Sequence, residues 1–414
     1  MQKVTIICPT FDHQDTLYPV MESVKRQTFQ DFEVVVIGDG APPRTKKIMD
    51  EISEKDPRFH YRHFPKSERT GEPYRDIIIR ECKSDIIAYI ADDDLWLPWH
   101  LEWVVEALQS ADFVHSMHHK VHLDGHIDSL LFQFNSPLLR QRVLNGENRR
   151  TFGLSYGAHT RKAYMDLSEG WTTAPKGMPT DLYMWLKFSS DPTVIFWEIL
   201  YPTALHFTAA LRKENPDQRT EELWQKLDDI TDQAFVLDLL ENVSFLPYFA
   251  TLCKQTPKHL NSVQEVFDYY DIHTRELSHS QILTTLPENN VLYFRPQSIR
   301  LLDIYWKYLI GHTDDLESEQ LISDYLKDRP GNNDARLHLA MLHIGAGDFE
   351  RAEELLQYFE IDTVSSEYIV PLAIVFVKKG KNSDAQKILE VLQSKGLNTS
   401  KLQLSMFGVP IPEQ

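Results

Sequence analysis

Cysteine is scarce in this chain: its 414 residues hold three, Cys8, Cys82 and Cys253. An odd, widely spaced set builds neither a disulfide framework nor a zinc knuckle and fits a reducing compartment. Long apolar runs are missing as well. The most apolar of the later segments, "FVLDLLENVSFLPYFATL", is broken by Asp238, Glu241 and Asn242 and is too polar to span a bilayer. The start "MQKVTIICPT" reads as a strand, with no basic region ahead of a long apolar stretch and a cleavage site, so the expectation is a cytoplasmic protein without a signal peptide. Positive charge is in deficit, 43 Lys and Arg against 61 Asp and Glu, for a net charge of −18. That balance excludes nucleic acid as the expected partner, because phosphate backbones need a basic face. It leaves room for an anionic substrate held through a metal. The turn "CPTFDHQD" after the first strand also lacks the glycine-rich pattern of dinucleotide-binding folds.

What is present is a core. Hydrophobic residues make up 42% and charged residues 25%, ordinary proportions for a globular protein of two or three domains. Over the first 110 residues strand patterns alternate with helix patterns. "KVTIIC", "FEVVVI", "FHYRHF" and "SDIIAYI" read as strands, and "TLYPVMESVKRQ", "TKKIMDEISEKD" and the helix opened by Pro98 lie between or after them. Uninterrupted apolar strands joined by helices imply a mostly parallel sheet covered on both faces. From about residue 213 the chain turns charged and helical. Near the end, Ala340 and Ala373, Gly347 and Gly380, Ala352 and Ala385, and Leu356 and Leu389 all stand 33 positions apart. That period resembles tetratricopeptide repeats, and a weaker earlier copy falls in 302–330. The expected organisation is an α/β domain over 1–212, a helical linker region over 213–295 and helical repeats over 296–414.

In open α/β sheets ligands bind beyond the carboxyl ends of the strands. Here those ends carry "PTFD" (9–12), "GDGA" (38–41) and "ADDD" (91–94), so three polar or acidic turns converge on one rim. Adjacent carboxylates repel one another unless a cation or hydrogen-bond donors compensate. A hard divalent ion such as Mg²⁺ or Mn²⁺ prefers oxygen ligands and shares its shell with substrate phosphates. The aspartates therefore suit a metal–diphosphate site; the alternative is an acidic turn that caps the helix after Pro98.

The pieces "VTIICPTFD", "SVKRQTFQDFEVVVIGDGA", "GEPYRD" and "SDIIAYIADDDLWLPWHLE" together resemble, in order and spacing, an inverting family 2 glycosyltransferase of the GT-A fold. The resemblance implies a Rossmann-like mixed sheet and a metal-dependent donor site for a nucleoside diphosphate sugar, in the first instance a UDP-sugar. It implies that Pro9, Thr10 and Phe11 line the base pocket with Asp12 beside them, and that Asp39 hydrogen-bonds the base. Arg75 would face the diphosphate, Asp92 and Asp93 would span ribose and metal, and His206 would stand near the metal or diphosphate. Asp181, in "MPTDLYMWLKF", would be the catalytic base, and Thr180 or Asp181 could equally cap the helix that follows. The chain departs from the pattern at Asp12, Gly38, Asp76 and Ala91, where family members often carry Asn, Asp, Asn and an acidic residue.

Two further readings concern the acceptor side. "SYGAHTRKAYMD" resembles the strand and helix start that border the acceptor site, which makes His159 and Arg161 acceptor-side candidates. The stretch "VHSMHHKVHLDGHID" carries His115, His118, His119, His122 and His126 on an expected strand and hairpin; strand alternation and the lack of a completing ligand argue for a surface or groove role over zinc. The function expected is sugar transfer to a glycan acceptor in bacterial polysaccharide synthesis, on a cytoplasmic protein peripheral to the inner membrane. The alternatives are a protein or peptide glycosyltransferase whose repeats bind the acceptor, and a non-catalytic scaffold with a degenerate transferase domain. The repeats also offer a surface for self-association or a protein partner.

Overall fold

In the computed structural model the residues described are 3–123, 127–130, 137–145, 152–208, 216–232, 259–277, 291–294, 315–328, 333–357 and 366–394, with a few short stretches and isolated positions between them. Cys253 and His126 lie outside the described residues. The chain divides into two compact units, the first comprising residues 1–257 and 264–296, the second 258–263 and 297–414.

The first unit begins with strands and helices in strict alternation: β1 (Val4–Thr10), α1 (Leu17–Lys25), β2 (Phe32–Asp39), α2 (Pro43–Lys55), β3 (Phe59–Phe64), α3 (Glu72–Glu81) and β4 (Ile86–Tyr89). β1 lies between β2 and β4 and is parallel to both, and β3 adds in parallel beyond β2. All four carboxyl ends therefore share one rim, with Thr10 opposite Gly38 and Asp39 opposite Phe64. The chain runs outward from β1 to β3 and then returns to β4 on β1's other side, so the topological switch point falls between β1 and β4. β4 is buried throughout and β1 nearly so, because helices cover both faces. In α1, Leu17, Val20, Met21 and Val24 form the buried stripe that their spacing predicts.

Past β4 the sheet changes direction. The elements are β5 (Leu95–Trp96), α4 (His100–Ala107), β6 (Phe113–Val121), β7 (Ile127–Leu130), α5 (Pro137–Leu144), β8 (Gly157–Thr160), α6 (Arg161–Asp166), α7 (Thr180–Ser190), β9 (Phe196–Pro202), β10 (Ala204–Phe207) and α8 (Pro216–Asp229). β8 pairs antiparallel with both β4 and β6, and the sheet continues through β10 to β5. The sheet is thus mixed, a parallel half joined to a largely antiparallel one, as the α/β class with a mixed sheet requires. The helix expected from Pro98 starts two residues later, at His100. The chain before it is pinned: the Gln27 side chain donates to Leu97 O and accepts from Leu101 N, each at 2.9 Å, and Leu97 N donates to Thr203 O.

The histidine-rich strand differs from its expected surface role. β6 is an interior strand, and His115, His118 and His119 on it are all buried. Burial pushes His115 down to about 3 and His119 down to about 4, so both are neutral imidazoles of the core.

Over 315–394 the described residues of the second unit form the helices Asp315–Asp328, Asn333–Ala346, Phe349–Leu356, Ser366–Lys378 and Asn382–Ser394. Ala340, Ala352, Ala373 and Ala385 are fully buried at the helix crossings. Gly347 and Gly380 take φ of 79° and 72° just past two helix ends, the left-handed conformation that glycine adopts without a Cβ penalty.

Candidate active site at the carboxyl rim

The run that follows β4 provides the site's anions. Asp92, Asp93 and Asp94 are all buried, at 8%, 6% and 1% exposure. Each carboxylate is engaged by a different partner. Asp92 Oδ1 lies 3.2 Å from His13 Nδ1, on the turn after β1, and its backbone carbonyl accepts from Thr16 Oγ1. Asp93 Oδ2 accepts from the Arg219 guanidinium on α8. Asp94 accepts from the Phe207 backbone N–H at 3.1 Å and from Ser155 Oγ, and its Oδ1 lies 2.9 Å from His206 Nδ1. The Ser155 hydroxyl in turn accepts from Ala91 N at 2.9 Å and so ties the start of the acidic turn to the loop before β8.

The electrostatics follow from this crowding. Burial, then the charges of Asp94 and Asp92, push Asp93 up to about 7 against the pull of Arg219 and His206. The hydrogen bond to Asp92 raises His13, and Asp94 raises His206 against the opposing effect of burial.

The base-pocket candidates sit beside this cluster at the ends of β1 and β2. Thr10 is buried, and its hydroxyl has no hydrogen-bond partner among the described residues. Phe11 is 44% exposed and offers its ring to solvent. Asp12 is exposed and Pro9 half-buried. Asp39 is buried and bound by the loop after β3: Ser67 N and Lys66 Nζ each donate at 2.6 Å and Ser67 Oγ at 2.9 Å. Lys66 also lies 5.0 Å from the Phe11 ring centroid. At Gly38 a side chain would collide with the Tyr61 phenol, which fills the space where the family pattern often has a second Asp.

Arg75 and Asp181 form the other wall. Arg75 is buried; its Nη2 donates to Thr70 O at 2.8 Å and its guanidinium lies 4.6 Å from the Trp171 ring centroid. Its Nε and Nη1 are buried without an acceptor among the described residues, and burial lowers its pKa. Buried donors of this kind are costly, and a ligand oxygen would satisfy them. Asp181 stands in the first turn of α7, with its Oδ1 accepting from Leu182 N at 2.8 Å. The helix cap is Pro179 with no side-chain bond, so neither Thr180 nor Asp181 is the cap. Burial raises Asp181 above the usual carboxylate range, while Arg75 and His206, close enough to act on it, pull it down. Arg69 fastens the chain ahead of α7 by donating to Ala174 O, Pro175 O and Met178 O at 2.9, 2.9 and 3.0 Å.

Two acceptor-side candidates are not at this rim. Because β8 runs antiparallel to β4, its carboxyl end lies at β4's amino end, with Thr160 opposite Ile86. Arg161 therefore donates to Ile79 O and Arg80 O at 3.0 and 3.1 Å, on the far edge of the sheet. His159 is fully buried. Its Nδ1 faces Thr160 O at 3.0 Å and its Nε2 faces Tyr89 Oη at 2.7 Å. Trp171 Nε1 donates to that same hydroxyl at 2.9 Å. The consistent reading is that His159 donates through Nδ1 and accepts the tyrosine proton at Nε2. It is a neutral core residue, with burial pushing it down to about 4, that orients Tyr89 and Trp171 beneath Arg75.

Sequence reasoning did not single out Arg219, Lys66, Arg69, His13 or Ser155 as site residues; it placed His206 near the metal or diphosphate, and the structure sets it against Asp94. Signals existed for three of them, Arg219, Lys66 and Arg69. Arg219 stands four and eight residues before Leu223 and Leu227, both fully buried, so it lies on the inward face of α8. The loop 65–71 follows a parallel strand and so had to reach the same rim.

Carboxylate oxygens and an imidazole are suitable donors for Mg²⁺ or Mn²⁺. Among the described residues, however, no three His, Cys, Asp or Glu side chains converge to hold an ion. The donor chemistry fits a divalent cation, and the carboxylates are bound instead by protein cations and hydrogen-bond donors.

Residues 5–155 match the family model described as glycosyl transferase family 2. An uncharacterized glycosyltransferase of Nostoc sp. is 26% identical over 123 residues, 30% of this chain and 38% of that protein. The teichoic acid poly(glycerol phosphate) polymerase of Staphylococcus epidermidis is 27% identical over 113 residues, 27% of this chain and 16% of that one. The matched stretch thus spans well under half the length of either relative. Among solved structures, the S. aureus TarS fragment 1-349 aligns over 96% of this chain and 92% of its own, with 10% identity and a TM-score of 0.41. The family likeness rests on residues 5–155, which carry the sequence pattern of glycosyl transferase family 2.

Proposed function

We propose that this protein is a metal-dependent inverting glycosyltransferase that moves a sugar from a nucleoside diphosphate sugar, a UDP-sugar, to a glycan acceptor in bacterial polysaccharide synthesis. The observation that carries the reading is a half-buried Asp181 of raised basicity, felt by Arg75 and His206, beside a triple-aspartate turn at the switch point of a sheet whose 5–155 segment matches glycosyl transferase family 2.

The base would rest against Phe11 and Thr10, with Asp39 as its hydrogen-bond acceptor once Lys66 and Ser67 share that carboxylate. The unpartnered Arg75 donors would receive diphosphate oxygens. A divalent ion held by Asp93 and Asp92, with His206 near, would supply neutralisation of charge on the leaving diphosphate. Asp181 takes the proton of the acceptor hydroxyl; the oxygen forms its bond to the anomeric carbon on the face opposite the diphosphate, and the carbon–oxygen bond to the diphosphate breaks. The proton ends on Asp181 and the electron pair on the departing diphosphate. A raised pKa suits a base that must accept a proton near neutral pH.

The 33-residue spacing of helices in the second unit supports tetratricopeptide-like repeats there, and with them a surface for self-association or a protein partner. A second reading, a scaffold without catalysis, draws on the engagement of Asp39 by Lys66 and of Asp93 by Arg219. A screen of nucleotide sugars by thermal shift with Mn²⁺, followed by hydrolysis of each stabilising sugar, separates the two. Stabilisation and slow hydrolysis by one UDP-sugar support the transferase; no stabilisation by any of them supports the scaffold.

A further inference from the structure

The inward face of α8 sets a positive charge against the acidic turn. Arg219 is 5% exposed, it donates to Asp93 Oδ2, and its Nε is buried without an acceptor among the described residues. The helix is fixed from below: Leu223, Leu227 and Ile230 pack on Leu95, Leu97, Val121, Leu205 and Phe207. Arg212, just ahead of α8, is ion-paired with Glu222 on the helix and donates to Val121 O at 3.2 Å. An arginine held so deeply against one member of a carboxylate triplet does the electrostatic work of a bound cation. Arg219 engages Asp93 Oδ2, and a second cation at this carboxylate would meet its repulsion at close range, so an ion binds there more weakly while the guanidinium stays.

We propose that Arg219 is a resident counter-cation of Asp93, and that a divalent ion gains this carboxylate only in exchange for it, the released guanidinium passing to the diphosphate that arrives with the metal. The inference rests on the metal-dependent donor reading above and adds to it a competition built into the chain. The guanidinium is suited to the second role, because its planar fork matches phosphate oxygens and its Nε has no acceptor among the described residues. The exchange makes cation binding weak in the absence of nucleotide and strong in its presence. It also keeps three buried carboxylates compensated while the site waits.

The test is a Mn²⁺ titration of the full chain, followed by the electron paramagnetic resonance signal of free Mn²⁺, on the wild type, R219Q, R219K and the double variant D93N/R219Q, with circular dichroism as the check on folding. Without nucleotide, R219Q should bind Mn²⁺ at least about tenfold more tightly than the wild type. R219K, which keeps the charge, should stay near the wild type, and D93N/R219Q should lose the gain. With Mn²⁺ present, R219Q should bind UDP about tenfold more weakly than the wild type. Equal Mn²⁺ affinity in the wild type and R219Q, including no binding to either, overturns the proposal, as does a gain that survives D93N. If R219Q gains Mn²⁺ affinity while UDP binds no variant, the exchange at Asp93 stands; its hand-over to a diphosphate and the nucleotide-sugar reading both fail.

Discussion

The parallel half of the sheet, β3-β2-β1-β4, and the antiparallel half beyond it both serve the same rim, but by different means. In the parallel half each strand ends at the rim, so its last residue or the turn after it supplies a candidate site residue directly: Thr10 at the end of β1, Asp39 at the end of β2, Lys66 after β3, the aspartates after β4. In the antiparallel half strands run both ways, and the residues that count come from loop, strand and helix: Ser155, His206, Asp181 and Arg219. One half sets out the acidic turns; the other compensates and orients them. Parallel topology makes a binding site a consequence of strand direction, whereas the antiparallel half must build its share by tertiary packing.

Four perturbations break or sharpen that division. The largest effect is expected at Asp181, the proposed base in the first turn of α7. Asp181→Asn should lower transfer by about 10³-fold, with donor affinity changed by no more than a few-fold, measured as turnover beside UDP-sugar titration. Full turnover in this variant would remove Asp181 as the base. Next comes the join between the halves. Asp94→Ala would leave His206, the Phe207 N–H and the Ser155 hydroxyl without their buried acceptor. That should cost about 3 kcal/mol in denaturant unfolding; a cost below about 1 kcal/mol would mean that water replaces the carboxylate.

The third perturbation is pH. His115 and His119 on β6 and His159 on β8 are held neutral by burial, His159 with its pKa lowered from 6.5 to about 4. Below pH 6.5 the unfolded chain takes up protons that the folded core refuses. The stability these groups contribute is therefore whole above about pH 6.5 and is lost as pH falls toward the folded values. Each should contribute a slope approaching about 1.4 kcal/mol per pH unit near pH 5. His159→Gln should flatten the stability curve by one such increment, read from urea midpoints at pH 7, 6 and 5; an unchanged slope would show that His159 titrates in the fold. The smallest effect is expected at Arg161, whose hydrogen bonds go to carbonyls at the opposite edge. Arg161→Ala should cost about 1 kcal/mol and leave the acceptor KM unchanged. A raised KM would return Arg161 to the acceptor site.

The same contrast governs what could be read from the sequence. The strand–helix alternation and the three polar turns are local patterns, each carried by residues adjacent in the chain, and they appear where expected. Arg161 was misplaced because its segment gives no sign of strand direction; had β8 been parallel, residues 159–161 would sit at the rim. His115 and His159 were misread because a polar residue on a strand suggests an exposed face, and these strands are buried within the sheet. The pairings of Arg219 with Asp93 and of Ser155 and His206 with Asp94 join residues 126, 61 and 112 positions apart, where no periodicity reaches.

The close fit of Tyr61 against Gly38 also bears on how this base pocket can change. A side chain at position 38 would meet the far end of the half-buried Tyr61 phenol, so Gly38→Asp requires that ring to move aside. With a smaller residue at 61 the same change becomes sterically available. The two positions are coupled: the cost of a side chain at 38 is set by how readily the Tyr61 phenol gives way.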